Sequence, residues 1–119
     1  MGYVRVKGLI SNLIDTSKQA EIEFIVDSGA MLTVVPRQVL EKLEIKPRGE
    51  RKFRLANGEV SKLPVGACFI EIERGQTATD IVFGSEEAPA LLGVTTLEQL
   101  GLEVDPLTGK LRPVEMMLL

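Results

Sequence analysis

Apolar and polar side chains alternate from Tyr3 to Ile10, with Tyr3, Arg5 and Lys7 set against Val4 and Val6. Alternation places one set on each face of an extended chain, so a strand is predicted there. Asn12 to Lys18 supplies turn formers in Asp15, Thr16 and Ser17, and Ala20 to Val26 reads as the returning arm of a hairpin. Leu32 to Val35 is a second short run rich in β-branched residues. Pro36 then suits the first position of a helix in which Val39, Leu40 and Leu43 recur at helical spacing.

Lys46-Pro47-Arg48-Gly49 breaks that pattern. From Phe53 to Val60 the chain reads as a hairpin, with Asn57-Gly58 suited to the positive φ angles of a tight type I′ turn. Pro64 to Glu73 and Ala78 to Phe83 are predicted strands joined around Arg74, Gly75 and Gln76. Ala90 to Gly93 is a short buried run. Thr95 or Thr96 can cap a helix through Leu100, which Gly101 closes. Leu102 to Leu111 forms a last hairpin around Asp105 to Gly109. No repeat, linker or low-complexity tract interrupts this order. A single domain over residues 1–119 is expected, mostly β with one or two short helices.

Composition removes several classes of function. With 45% hydrophobic and 26% charged residues in 119, the chain suits one packed core rather than disorder. A net charge of -3 gives no general attraction to nucleic acid or anionic membrane, and no Trp with one Tyr leaves few platforms for stacked bases. Neither partner is expected. No apolar run reaches the length of a bilayer span, and Val6 stands where a myristoylation signal requires Ser or Thr. Cys68 is the sole cysteine, so no internal disulfide can form, and it reads as a small buried hydrophobe. A soluble cytoplasmic protein is the expectation.

The chain has no histidine, which removes Ser-His-Asp triads, Cys-His pairs and His-containing zinc sites. Glu71, Glu73, Glu86 and Glu87 lack the spacing of a metal loop, so neither metal nor organic cofactor is expected. Acid-base chemistry then rests on carboxylates, Lys or Tyr3. Against that background one carboxylate stands out. Asp27 sits between the apolar runs Phe24-Ile25-Val26 and Met31 to Val35, followed at once by Ser28-Gly29-Ala30. Burying an unpaired carboxylate there would cost several kcal/mol. It therefore lies either in a surface Asx-type turn or where the fold brings it a partner.

The order of these pieces resembles the retropepsin-like aspartic proteases. The shared pieces are an apolar run, Asp27-Ser28-Gly29-Ala30, a second apolar run, a hairpin with Gly58 near its tip, and Ala90 to Gly93 before a short helix. The resemblance runs from about Val6 to Leu111, most specifically over Phe24 to Pro36. It implies an all-β, retropepsin-like acid protease fold, a closed β-barrel or sandwich, and an aspartic endopeptidase acting on polypeptide. Two carboxylates at close range supply one ionised and one protonated group. A single Asp-Ser-Gly then implies a homodimer in which the partner of Asp27 is a second Asp27.

Supporting roles come from the same resemblance. Ser28 would brace the two loops by hydrogen bonds across the dimer axis, and Gly29 would leave room for water and substrate. Ala30 offers the carboxylate no hydroxyl, which favours activity at about pH 5 to 7 over strongly acid conditions. Ala56, Asn57 and Gly58 would form the tip of a flap over bound peptide. Val114 to Leu119 would interleave with its counterpart in a dimer sheet, or fray. The rival class is a non-catalytic peptide-binding or dimerisation module of the same fold, and a third is a monomeric β-barrel binding protein. The charged run Lys46 to Arg54 reads as a solvated edge that discourages sheet-to-sheet pairing.

Overall fold

The computed structural model describes residues 4–73 and 75–118. Tyr3, Arg74 and Leu119, which carried part of the sequence-based expectations, lie outside the described residues. In chain order the elements are β1 (Arg5–Ser11), β2 (Gln19–Val26), β3 (Thr33–Pro36), α1 (Arg37–Lys42), β4 (Gly49–Arg54) and β5 (Val60–Ile72). After them come β6 (Gly75–Gly84), β7 (Ala90–Leu92), α2 (Val94–Leu100), β8 (Leu102–Val104) and β9 (Leu111–Pro113).

Seven strands form one sheet in the order β1-β2-β7-β3-β6-β5-β4. Leu9 to Ser11 of β1 also pair antiparallel with Phe69 to Glu71 of β5, which rolls six of the strands into a closed barrel. Closure removes the unpaired edges that an open sheet would present. The strand left outside is β4, which pairs with β5 alone. Inside, Ile10, Phe24, Val35, Leu40, Ile70, Ile81 and Leu92 are sealed from solvent. Each large side chain buried there stabilises the fold by about 1.5–3 kcal/mol.

One crossover sets the geometry at the barrel's end. β7 lies between β2 and β3, parallel to the first (Phe24↔Ala90 to Val26↔Leu92) and antiparallel to the second (Val34↔Leu91). The loop from Asp27 to Leu32 therefore leaves one neighbour of β7 and returns as the other.

Several local expectations shift. Pro36 ends β3 with an extended ψ of 136 and flanks α1, rather than occupying its first turn. The helix is closed by a distant residue: buried Asn12 donates from Nδ2 to the carbonyls of Leu43 (2.8 Å) and Glu44 (3.2 Å). Its Oδ1 accepts from the Ile14 and Asp15 amides, so one side chain organises the β1–β2 turn and anchors α1. Lys18 pairs with Glu44 across the same junction. The hairpin tip also differs from a type I′ turn. Only Gly58 takes a positive φ, of 88, with its amide bonded to the Leu55 carbonyl. Asn57 instead uses its side chain, accepting from the Glu59 amide at 2.9 Å. This is a wider turn with Gly58 in the bulge position.

Cys68 is fully buried, and burial pushes its thiol up to about 12. The thiolate is then scarce at neutral pH. The native chain should resist alkylation by iodoacetamide at pH 8 and become fully labelled in guanidinium, as read by mass spectrometry. Rapid labelling of the native chain would contradict the packing around β5.

Candidate active site

The strand β2 delivers Asp27 to the barrel's end through two backbone bonds. The Val26 amide donates to the Val4 carbonyl (2.8 Å), and the Asp27 amide to the Leu92 carbonyl (3.1 Å). Past that point the chain turns on itself. The Gly29 amide donates to Asp27 Oδ1 (2.8 Å) and the Ala30 amide to the Asp27 carbonyl (3.1 Å). This is an Asx-type turn, but one whose carboxylate keeps its second oxygen open among the described residues. Asp27 and Ala30 are half-buried, while Ser28 and Gly29 are exposed. A Cβ at Gly29 would stand 3.2 Å from Asp27 Oδ1, so any side chain there crowds the carboxylate.

The helix α2 holds this loop from behind. Its first amides have no partners within the helix, a need usually met by a capping side chain. Neither Thr95 nor Thr96 caps it. Gly93 occupies the cap position, and the Val94 and Thr95 amides donate to the carbonyls of Ala30 (2.9 Å) and Met31 (3.0 Å). The approach is so close that a Cβ on Gly93 would lie 2.4 Å from the Leu32 carbonyl carbon. Glycine is required there by contact. Gly101 closes the helix in a left-handed conformation as expected.

Thr96 is used differently. Its hydroxyl lies 2.6 Å from that of Thr33 and 2.8 Å from that of Thr79, all three buried. Thr33 Oγ1 accepts from the Gly93 amide (3.0 Å), and Thr79 Oγ1 reaches the Asp80 carbonyl at 3.4 Å. One ordering gives every hydrogen an acceptor. Thr33 donates to Thr96, Thr96 to Thr79, and Thr79 to Asp80. The chain of hydroxyls joins β3, α2 and β6 directly beneath the Asp27 loop. Sequence reasoning missed it because the partners are 63 and 17 residues apart. The available signal was Thr33 alone, a hydroxyl inside the apolar run Met31 to Val35; Thr79 and Thr96 stand among polar neighbours and gave none.

Ala56, Asn57 and Gly58 stand exposed at the tip of the β4–β5 hairpin, with hydrogen bonds only inside that hairpin among the described residues. No hydrogen bond joins them to Asp27 among the described residues. The hairpin's base does approach the loop, since Leu32, Gly49, Arg51 and Val65 line a shared cavity of about 280 Å³. Larger hollows of about 440 and 520 Å³ flank Ile45 to Pro47 and another of about 380 Å³ lies by Phe83 to Glu86, and none of them includes the Asp27 loop residues.

A family model described as "gag-polyprotein putative aspartyl protease" matches residues 14–99, which include both the Asp27 loop and the hairpin. The chain belongs to this aspartyl protease family. Its fold is similar to that of Simian Foamy Virus (mac) protease in solution, with a TM-score of 0.58 and 19% identity over 81% of this chain and 93% of that one. A foamy viral protease-reverse transcriptase in complex with RNA/DNA hybrid is similar over 98% of this chain at a TM-score of 0.60 and 15% identity. The match covers 13% of that larger protein. No curated protein sequence matches the chain. These likenesses show the retropepsin-like fold, with the closed barrel and two short helices expected of it.

Thr96→Val keeps the shape but removes both a donor and an acceptor from the hydroxyl chain. Leaving buried groups unpaired costs about 1–3 kcal/mol. Denaturant unfolding should register that loss for Thr96→Val and recover most of it for Thr96→Ser. A valine variant as stable as the parent would show that the hydroxyl chain does not hold this junction.

Proposed function

We propose that the protein is an aspartic endopeptidase acting as a homodimer, with Asp27 of each subunit meeting at the two-fold axis. The observation that carries this reading is the Asp27 loop itself. Its carboxylate is held by one amide, with one oxygen left open, at the barrel end of an aspartyl protease family member. The chain supplies one such motif, so a second carboxylate comes from a second copy. Exposed apolar groups support the association: Met31 on the loop and Met116, Met117 and Leu118 beyond the β8–β9 hairpin.

Two carboxylates at contact share one proton, because like charges so close do not both ionise. The ionised member takes a proton from water as the water oxygen attacks the scissile carbonyl carbon. The protonated member donates to the carbonyl oxygen as it gains charge. The resulting tetrahedral species collapses as a proton passes to the amide nitrogen and the C–N bond breaks. The pair titrates as a unit throughout. Ser28 braces the two loops, Gly29 leaves the carboxylate accessible, and Ala56 to Gly58 close over the peptide and reduce access of bulk water.

Asp27→Asn should abolish cleavage of an unstructured protein substrate while leaving the melting temperature equal or higher, since repulsion at the axis is removed. Sedimentation should give a dimer for both forms. A variant that cleaved at the parent's rate would remove Asp27 from the mechanism. A folded, dimeric parent that cleaved nothing would favour the non-catalytic module.

Ala30 places no hydroxyl beside the carboxylates, so the pH-rate profile should peak at about pH 5 to 7. In Ala30→Thr a hydroxyl donating to the carboxylate favours its ionised form, and the acid limb should move to lower pH. An unmoved acid limb, or a parent optimum below about pH 3, would sink this account.

A further inference from the structure

Charge is segregated along this chain. Residues 46–62 hold six of the 14 Lys and Arg but only two of the 17 Asp and Glu, so that segment carries +4 and the remainder -7. The six cations, Lys46, Arg48, Arg51, Lys52, Arg54 and Lys62, are all exposed. Ion pairs occur elsewhere, at Arg5–Glu23, Lys18–Glu44 and Arg112 with Glu103 and Asp105. Among the described residues none of the six joins one. Among the described residues the Arg54 side chain bonds to one group, the Gly58 carbonyl at 3.0 Å.

The register makes the arrangement costly for the hairpin. Lys52 stands directly opposite Lys62, and like charges so placed weaken strand pairing. Arg54 lies two residues along on the same face. Solubility alone would be served by mixed signs. Arg48 and Arg51 also line the cavity that Leu32 closes at the end of the Asp27 loop, with Glu50 and Asp80 as its acids.

We propose that this hairpin selects polypeptide segments rich in Asp and Glu. The proposal rests on the reading of the Asp27 loop and the β4–β5 hairpin as a peptide cleft. Arg48 and Arg51 receive acidic side chains in the cavity, and Lys52, Arg54 and Lys62, on the other face of the hairpin from Arg51, raise the positive potential around it. An acidic body repels such a peptide from other faces, so the hairpin orients its approach. A cavity of about 280 Å³ suits a side chain. The scarcity of aromatic residues argues against nucleic acid as the ligand.

The test is fluorescence anisotropy on the full chain carrying Asp27→Asn, so that bound peptide stays intact. Labelled peptides of equal length would be acidic, neutral (Gln in place of each acid) or basic. A second protein adds Arg51→Gln, Lys52→Gln and Lys62→Gln, with its fold checked by thermal melting; loss of the Lys52–Lys62 repulsion favours folding. The acidic peptide should bind about tenfold more tightly than the neutral one, about two- to threefold per exposed charge. The triple change should collapse that ratio towards one, as should raising salt from about 0.05 to about 0.5 M. Equal binding of acidic and neutral peptides, or a preference for the basic one, would overturn the proposal alone. A single-stranded oligonucleotide of matched charge that bound more tightly than the acidic peptide would overturn it in favour of nucleic acid. Failure to bind any peptide would overturn both this proposal and the peptide-cleft reading.

Discussion

A hydroxyl sealed in an aliphatic core must find partners or be left at a cost of about 1–3 kcal/mol. Thr33, Thr79 and Thr96 meet that demand through one another, and in doing so fix three elements that share no sequence neighbourhood. Thr33 begins β3 immediately after the Asp27 loop, Thr96 lies in the first turn of α2, and Thr79 belongs to β6. The Gly93 amide completes the link. Once these groups are joined, the first α2 amides face the loop carbonyls of Ala30 and Met31 as their acceptors. The position of a half-exposed carboxylate is thus set by polar groups that never meet solvent.

The Asp27 loop and the β4–β5 hairpin are built on different principles. The loop is held by backbone bonds to β7 and α2 and by Gly93, which permits close contact between two main chains. The β4–β5 hairpin depends on a single strand pairing and a tip stitched by its own bonds. Few buried apolar groups support it: Phe53 is half-buried and the rest of β4 is exposed. Stability differs across a structure in this way, and elements that must admit a ligand are drawn from its weaker part.

How much of this could be read from the sequence depended on how far each feature reached along the chain. Alternation located β1 because a strand's faces are encoded locally, and apolar runs bounded by turn formers located β2, β5 and β6. Asp27-Ser28-Gly29-Ala30 was legible because the turn, the carboxylate and the required small residues are contiguous. The start of α2 was legible to within three residues, yet its threonines have a different task from the one expected. A cap is a local solution, and here the carbonyls of a distant loop fill that need. Asn12 looked like one turn former among several, although its amide closes a helix 31 residues away. Asn57-Gly58 predicted a hairpin correctly and its geometry incorrectly, since side-chain bonding by Asn57 competes with the left-handed backbone of a tighter turn.

The insertion of β7 between β2 and β3 also bears on the order in which the protein can be made. During synthesis the chain emerges from its N-terminus, and β2 and β3 appear early, with the Asp27 motif between them. They cannot settle as neighbours, because the place between them belongs to Ala90–Leu92. The hydroxyl partner of Thr33 arrives later still, at Thr96. A nascent chain that ends before Ala90 therefore carries the whole Asp-Ser-Gly signature but lacks the scaffold that aims it. The earliest written part of the site is among the last to take shape.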